Sequence, residues 1–356
     1  MMRFMAIALK TLALLFKLFP LEERVAFLSR QSSHPSLDYQ LLIEEIERSH
    51  PSTRIAVCLS EPETKSATSF IGGTFKHLYF ACTSSVVVVD GYIPAVSIPK
   101  KRHGVTVIQM WHALGAIKKF GYQCLDTPAG RTTEQARTAR MHKNYDWIIA
   151  GGPGAVEDLA EAFGYSKERI LPLGLPRTDY LKSESPLHAT RREKALKRLP
   201  FLMSKEHIIL YAPTLRKGGE YEEDWLTDYA SKYAEQIKND GAILLVAGHP
   251  LNDEINENLV SRYPFIRFSK GIPTIDLIPF ASKVVTDYSA VAFEAHIAYK
   301  PIEFFTPDLD LYCVSPGLNL LPNEITPAVL EAYLKNEQGC TKSIADLICR
   351  CVTDRA

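Results

Sequence analysis

Residues 284–305, VVTDYSAVAFEAHIAYKPIEFF, carry the local signals that decide the fold. A β-branched run ends in a polar turn at residues 287–289, and helix-forming residues follow at 290–299. Pro301 stops the helix and begins another apolar run. The order of strand, turn, helix and strand predicts one unit of a parallel α/β sheet, with the turn at the carboxyl end of its strand.

The polar turn consists of Asp287, Tyr288 and Ser289. Backbone N–H groups and the positive end of a helix dipole converge at such a turn, which suits a phosphate group. The side chain of Asp287 or Ser289 could instead do no more than cap the helix. The sequence leaves both interpretations open.

The same alternation extends on both sides of this stretch. Before it, apolar runs that predict strands lie at residues 24–30, 54–59, 85–90, 105–110, 145–150 and 170–173, then at 207–211, 242–246 and 265–268. Residues 77–81 form a further apolar run, which follows a looser helical region. Ten or more strands that alternate with helices predict a doubly wound parallel α/β architecture in two copies.

The length and composition allow two domains of ordinary size. The chain has 356 residues and 46% hydrophobic content. We place the junction in the charged, proline-containing segment 186–200, which gives an N-terminal Rossmann-like domain at 21–185 and a C-terminal one at 186–356. The last twenty or so residues predict one more helix.

Charge and cysteine usage exclude some classes of protein. Lys plus Arg number 41 and Asp plus Glu number 41, so the chain lacks the basic excess typical of nucleic-acid binders. Seven scattered cysteines without a Cys-x-x-Cys pair are typical of reduced thiols in a cytoplasmic protein.

Residues 1–20 predict an amphipathic helix. Arg3, Lys10 and Lys17 recur every seven residues, so on a helix they lie along one stripe of an otherwise apolar surface. The segment is too short and too charged to span a bilayer, and no small-residue cleavage site follows it. It resembles a helix that lies on an anionic membrane surface. The alternative is a helix docked on the protein's own core or on a partner subunit.

Each half of the chain has a histidine just beyond a predicted strand, His112 in the first half and His249 in the second. Ligands of open α/β sheets bind outside the carboxyl ends of the strands. A histidine there can accept a proton at neutral pH or donate hydrogen bonds to phosphate oxygens. Each could be structural when taken singly, but their matched positions favour function and predict that both face one cleft.

Three other polar features are candidates for chemistry. Arg216 follows a predicted strand and a Pro turn, where it could bind phosphate in a bidentate manner or be a solvated surface residue. Lys118 and Lys119 are adjacent, so at most one of them points into a cleft. Asp308 and Asp310 have the spacing of a metal-binding Asp-x-Asp, but the match is weak and we predict no metal site.

Several short motifs occur in one order along nearly the whole chain. They are residues 109–112 (QMWH) with 118–122 (KKFGY), 162–165 (AFGY) with 174–179 (GLPRTD), 211–216 (YAPTLR), 248–250 (GHP), and 286–289 (TDYS) with 300–302 (KPI). Together they resemble the CDP-glycerol glycerophosphotransferase family of teichoic acid primases and polymerases.

The resemblance implies a GT-B fold, in which two Rossmann-like domains surround a deep cleft. It implies metal-independent transfer on the cytoplasmic face of the membrane, with CDP-glycerol or CDP-ribitol as donor and a lipid-linked saccharide or polyol phosphate as acceptor. The donor is a substrate, so no cofactor is expected. Nucleic acid is not an expected partner, and a homo-oligomer is left open.

The resemblance also implies roles for particular residues. His112 is the expected general base toward the acceptor, and His249 the second catalytic histidine. The expected donor and phosphate ligands are Lys118, Thr214, Arg216, Asp287, Tyr288 and Ser289. Two alternatives stay open: a GT-B glycosyltransferase that uses a sugar nucleotide, and a non-catalytic scaffold at the membrane surface.

Overall fold

The computed structural model describes residues 2–60, 67–183, 186–204, 207–216, 224–247, 257–335 and 338–353. The chain divides into two compact units. The first consists of Met1–Leu114, Phe120–Asp179 and Leu334–Ala356. The second consists of Gly115–Lys119 and Tyr180–Tyr333.

The first unit contains a six-stranded sheet in the order β2-β1-β3-β4-β5-β6. Its strands are β1 (Glu22–Ser29), β2 (Arg54–Leu59), β3 (Ser84–Val89), β4 (Thr106–Gln109), β5 (Trp147–Ile149) and β6 (Ile170–Leu171). All neighbouring strands are parallel. Every residue of β3 is buried, as expected for a central strand covered on both faces.

The second unit contains a five-stranded sheet in the order β11-β10-β7-β8-β9. Its strands are β7 (Ile208–Ala212), β8 (Ile243–Val246), β9 (Ile266–Phe268), β10 (Lys283–Thr286) and β11 (Ile302–Phe304). These strands are also parallel throughout. Two separate apolar clusters include alternate residues of β7, as expected for a sheet with a core on each face.

Helices alternate with the strands in both units. In chain order the first seven are α1 (Met2–Phe16), α2 (Leu37–Ser49), α3 (Ala67–Thr83), α4 (Pro94–Ser97), α5 (Thr133–Thr138), α6 (Val156–Phe163) and α7 (Pro176–Lys182). The others are α8 (Pro186–Arg198), α9 (Trp225–Ile237), α10 (Glu257–Arg262), α11 (Thr274–Leu277), α12 (Val291–Ile297), α13 (Leu309–Val314), α14 (Pro327–Ala332) and α15 (Cys340–Thr353). The parallel α/β class that the sequence predicts is confirmed.

The stretch 284–305 folds as predicted, as β10, a turn, α12 and β11. The apolar run at 77–81 lies inside α3 instead of forming an element of its own. His77 on that helix is buried, and its Nε2 donates to the Cys58 carbonyl 3.1 Å away. An apolar run of five residues does not by itself distinguish a strand from a buried helix face.

The last helix, α15, exists as predicted but belongs to the first unit. This differs from the expected domain at 186–356. The buried side chains of α15 include Ile344, Ala345 and Ile348, and the helix contacts α2 and β1. Asp179 accepts hydrogen bonds from the backbone N–H groups of Gly339 and Thr341, at 2.8 and 2.7 Å. Packing and capping together hold this helix against the N-terminal sheet.

Helix α1 packs one face on the first unit and exposes the other. Ala6, Leu9 and Ala13 are buried, and α1 contacts α3. Phe4 and Leu14 on the opposite face are 79% and 66% exposed. Within the described residues, no helix combines the length and the apolarity that crossing a bilayer requires.

Candidate active site

The loop after β4 positions His112 at the carboxyl edge of the first sheet. Gln109, the last residue of β4, is fully buried. Its side-chain amide donates to the Gly91 carbonyl at 3.1 Å, and its side-chain oxygen accepts from the Trp111 backbone N–H at 2.8 Å. One buried amide therefore joins the loop after β3 to the loop that carries His112.

Trp111 has a positive φ of 55°, which is costly for a bulky side chain. Aromatic packing offsets this cost. The Trp111 ring stacks on Phe120 with centroids 4.5 Å apart and meets Phe163 edge-on at 5.2 Å. It also lies 4.1 Å from the His112 ring. The strained backbone and the ring contacts together orient the imidazole.

His112 is exposed, and its Nδ1 lies 3.0 Å from the Asp90 carbonyl oxygen. A carbonyl oxygen can only accept, so Nδ1 carries the hydrogen in the neutral ring. The lone pair is then on Nε2, which is the atom that can take a proton. This tautomer is the one that a general base requires.

In the second unit, Asp287 joins the ends of two strands. Its Oδ1 accepts from the backbone N–H of Thr214 at 2.8 Å and of Tyr288 at 2.5 Å. Asp287 is fully buried, and it does not cap α12. Ser289 instead accepts from the Val291 N–H at 3.3 Å. The Ser289 side chain therefore makes a local contact at the start of α12, whereas the Asp287 side chain joins the two strand ends.

Arg216 lies in a buried cluster with two carboxylates. Its Nε and Nη2 donate to the two oxygens of Asp308 at 2.7 and 2.9 Å. Its Nη1 lies 2.8 Å from Asp287 Oδ2 and donates to the Thr214 carbonyl at 2.7 Å. Burial opposes the charge of Arg216, but Asp287 and Asp308 outweigh it and raise the pKa of the guanidinium.

This cluster corrects the predicted roles of several residues. The Arg216 side chain is 0% exposed, so it does not lie on the solvated surface, and its donors face the two carboxylates and the Thr214 carbonyl. Asp287, Tyr288 and Thr214 are also buried. The Tyr288 hydroxyl donates to Asp308 Oδ1 at 3.1 Å. These four residues stabilise the turn at 287–289 through buried hydrogen bonds and ion pairs. The carboxylates of Asp287 and Asp308 bind the Arg216 donors that were expected to bind phosphate.

Two predicted ligands do lie near the surface. Ser289 is partly exposed, and Lys118 is exposed. Lys118 belongs to the segment Gly115–Lys119, where it forms an antiparallel bridge with Leu318. A side chain at Gly115 would place its Cβ 2.6 Å from the Phe293 ring, so glycine permits this close approach.

His249, with the whole 248–250 motif, lies outside the described residues. Its pairing with His112 stays a prediction. The two acids of the Asp-x-Asp pair have different environments. Asp308 belongs to the buried cluster, whereas Asp310 is exposed.

The motif at residues 174–179 is structural. Gly174 has φ of +79°, and a Cβ there would lie 2.3 Å from the Cys340 sulfur. The Arg177 guanidinium donates to the carboxylate of buried Asp38, with Nε 3.0 Å from Oδ2. These contacts tie α7 to α2 and α15 within the first unit.

Sequence reasoning missed Asp90 and the role of Asp308. Asp90 immediately follows the buried strand β3, so the rule that selected the histidines would also have selected this residue. Asp308 gave no comparable signal, because its partner Arg216 is 92 residues away.

The comparisons with known proteins agree with the resemblance. The family model described as CDP-glycerol:poly(glycerophosphate) glycerophosphotransferase matches residues 12–344. A teichoic acid ribitol-phosphate primase of Bacillus spizizenii is 30% identical over 352 residues, covering 93% of this chain and 87% of the relative. A teichoic acid glycerol-phosphate primase of Bacillus subtilis is 28% identical over 291 residues, covering 78% and 73%.

Among solved structures, the wall teichoic acid polymerase TagF has a similar fold. The TM-score is 0.70 at 19% identity, with 96% of this chain and 93% of that chain covered. The family model spans most of the sequence, including His112 and the Asp287 turn. The chain therefore belongs to the CDP-glycerol:poly(glycerophosphate) glycerophosphotransferase family and is an enzyme of that type.

Proposed function

We propose that this enzyme transfers a polyol phosphate from a CDP-polyol to a hydroxyl group of a membrane lipid-linked acceptor. The pathway is the synthesis of teichoic acid or a related cell-surface polymer, and the released product is CMP. The observation that carries the proposal is the exposed His112 imidazole, whose Nδ1 is held by the Asp90 carbonyl. Its family membership supports the choice of donor.

In the proposed reaction His112 acts on the acceptor. Its Nε2 takes the proton of the acceptor hydroxyl, whose oxygen attacks the β-phosphorus of the CDP-polyol. The bond from that phosphorus to the bridging oxygen breaks, and CMP leaves with the electron pair. General-base assistance of this kind is typically worth about 10²–10⁴-fold in rate.

The second unit would bind the donor. The partly exposed Ser289 and the exposed Lys118 are the described candidates for direct contact with the pyrophosphate. The buried cluster of Arg216, Asp287 and Asp308 would keep the Ser289 turn in place. His249 is our proposed second histidine at the pyrophosphate.

Glycerol phosphate is our first choice of transferred group, with ribitol phosphate as the alternative. The two relatives described above are named as a ribitol-phosphate primase and a glycerol-phosphate primase, so the names alone do not decide. Both are named as primases, which favours the addition of a single unit.

A donor panel tests the proposal. The purified enzyme is incubated with a synthetic lipid-linked saccharide and, in separate reactions, with CDP-glycerol, CDP-ribitol and UDP-sugars. We expect CMP release and one added polyol phosphate by mass spectrometry. Transfer of a sugar would establish a glycosyltransferase instead. Consumption of no nucleotide would support a non-catalytic scaffold.

We further propose that α1 lies on the cytoplasmic face of the membrane. Its exposed face carries Phe4, Ile7 and Leu14, and α3 adds Phe75, which is 47% exposed. The cations contribute less than the sequence suggested, because Lys17 donates to the Lys100 carbonyl at 2.7 Å. The apolar face is therefore the main expected contact with lipid.

Vesicle sedimentation tests this membrane contact. Leu14→Glu places a charge in the proposed apolar contact, so we expect at least a tenfold loss of binding to vesicles that contain anionic lipid. Val314→Glu changes an apolar residue of the second unit that is 78% exposed, compared with 66% for Leu14, and serves as the control. Equal binding by both variants and the native protein would contradict the proposal.

A further inference from the structure

Asp90 lies beside His112 at the carboxyl edge of the first sheet. It directly follows β3, which pairs with β4 so that Val89 is opposite Gln109. The Met110 backbone N–H donates to the Val89 carbonyl at 2.7 Å, which brings the two strand ends together. The loops that leave β3 and β4 therefore place Asp90 and His112 side by side.

The Asp90 carboxyl group is buried without full hydrogen bonding. The residue is 3% exposed, and its Oδ1 makes no hydrogen bond to any residue in the described part of the chain. A buried carboxyl oxygen without a partner is costly, and polar groups of this kind usually have a reason to be kept. Among the salt bridges of the described residues, none involves Asp90, whereas the Arg177 guanidinium holds Asp38.

The carboxyl group is also close to the imidazole. The Asp90 carbonyl oxygen is 3.0 Å from His112 Nδ1. Covalent geometry keeps the carboxyl oxygens of the same residue within about 5 Å of that carbonyl, and so within about 8 Å of Nδ1. Opposite charges within about 8 Å attract each other at the effective dielectric near a protein surface, so a charged Asp90 carboxylate stabilises a protonated imidazole.

We propose that Asp90 is a positioning residue that serves His112 in two ways. Its backbone carbonyl fixes the tautomer, and its carboxylate stabilises the imidazolium that forms when Nε2 takes the proton of the acceptor hydroxyl. The proton moves from the acceptor oxygen to Nε2, and Asp90 does not itself receive it. The second role rests on the proposed function.

The titration of Asp90 should affect how kcat depends on pH. Burial raises the pKa of Asp90 to about 6, a hydrogen bond from Ser29 opposes the rise, and the charge of Asp38 adds to it. The titratable groups that interact with the carboxyl are Asp38 and Tyr39 of α2, and the Arg177 guanidinium of α7 contacts Asp38 in turn. His112 after β4 contacts the carbonyl of Asp90. Asp90 is thus charged at pH 7–8 and becomes neutral in the range where imidazoles titrate.

The first test is the Asp90→Asn variant, which keeps the backbone carbonyl and the size of the side chain. With CDP-glycerol and the lipid acceptor, we expect kcat to fall about tenfold and KM for CDP-glycerol to change less than twofold. Protonation of Asp90 below pH 6 should give the native enzyme the same neutral side chain that the variant has at every pH. The ratio of native to variant kcat should therefore fall from about ten at pH 8 towards one below pH 6.

Ser29→Ala is the matched control, because it removes a hydrogen bond to the carboxyl group but keeps the charge. We expect its kcat to stay within about threefold of the native value. A native kcat in Asp90→Asn at pH 8 would overturn the proposal. A kcat that is lower by the same factor at every pH would also overturn it, since that result indicates a structural role alone.

A second measurement is independent of turnover and of the proposed function. The His112 ring is followed by NMR in protein labelled at histidine, with His112→Ala used to assign its signal. We expect the midpoint of its titration to fall by about one pH unit in Asp90→Asn, because the stabilising carboxylate is gone. An unchanged midpoint would refute the electrostatic role. Failure of the native enzyme to release CMP would count against the proposed function only.

Discussion

At the scale of single residues, Arg216 stabilises the interior of the second unit, although its position in the sequence suggests a phosphate ligand. Four aromatic rings surround its guanidinium, those of Trp225, Tyr229, Tyr288 and Tyr312, at centroid distances of 4.9–5.6 Å. Its sequence position at a strand end was correctly predicted, and β7 ends at Ala212. The burial of Arg216 was not predicted. The carboxylates that compensate its buried charge come from segments distant in the sequence.

Removal of Asp308 should destabilise the second unit. Asp308→Ala leaves Arg216 with one carboxylate and removes the acceptor of the Tyr288 hydroxyl. We expect the free energy of unfolding to fall by about 3–5 kcal/mol in urea denaturation followed by tryptophan fluorescence. Asp310→Ala changes an exposed acid two residues further on, in α13, and should stay within about 0.5 kcal/mol. Equal midpoints for the two variants would show that the cluster is not a support.

Asp90 should make the folded protein less stable at high pH. Its pKa of about 6 in the folded chain exceeds the value near 3.9 expected when unfolded. Its contribution to stability is therefore complete below pH 4 and is lost as the pH rises through 6. Asp90→Asn should be more stable than the native protein at pH 8, by up to about 3 kcal/mol, and equal to it near pH 4.

Calorimetric scans at the two pH values check this prediction. A variant that is less stable at pH 8 would contradict the sign of the effect. Higher stability together with a lower kcat would separate the role of Asp90 in turnover from any damage to the fold.

At the scale of elements, the sequence predicts that a helix or strand forms better than it predicts which unit that element packs against. Strand β3 and the unit β10–α12–β11 follow from continuous apolar runs and from the stop at Pro301. The attachment of α15 depends on the Asp179 contacts, which join residues about 160 positions apart. No local pattern records such a contact, so the domain boundary drawn from composition misses it.

Asp179→Ala should loosen α15. The variant loses acceptors for the backbone N–H groups of Gly339 and Thr341 and for the Thr341 hydroxyl. We expect a loss of about 1–2 kcal/mol and faster hydrogen exchange across the amides of α15. Arg350→Ala changes an exposed side chain of the same helix and should leave exchange nearly unchanged. Equal exchange in both variants would contradict the capping role.

At the scale of the whole molecule, both units present candidate site residues at carboxyl ends of parallel strands. His112 and Asp90 do so in the first unit, and the Ser289 turn does so in the second. The general rule for open α/β sheets predicted the places of His112 and the Ser289 turn from the sequence, and the same rule applies to Asp90, which was missed. It could not predict which side chains turn inward, because inward packing depends on partners that only the folded chain brings together.

The central claim is that His112 is the general base for transfer from a CDP-polyol. The direct measurement compares native enzyme and His112→Ala for CMP release with CDP-glycerol and a lipid acceptor, and for CDP-glycerol affinity by calorimetry. The account predicts a 10²–10⁴-fold loss of kcat, with donor affinity within about twofold. Turnover by His112→Ala at the native rate would contradict it.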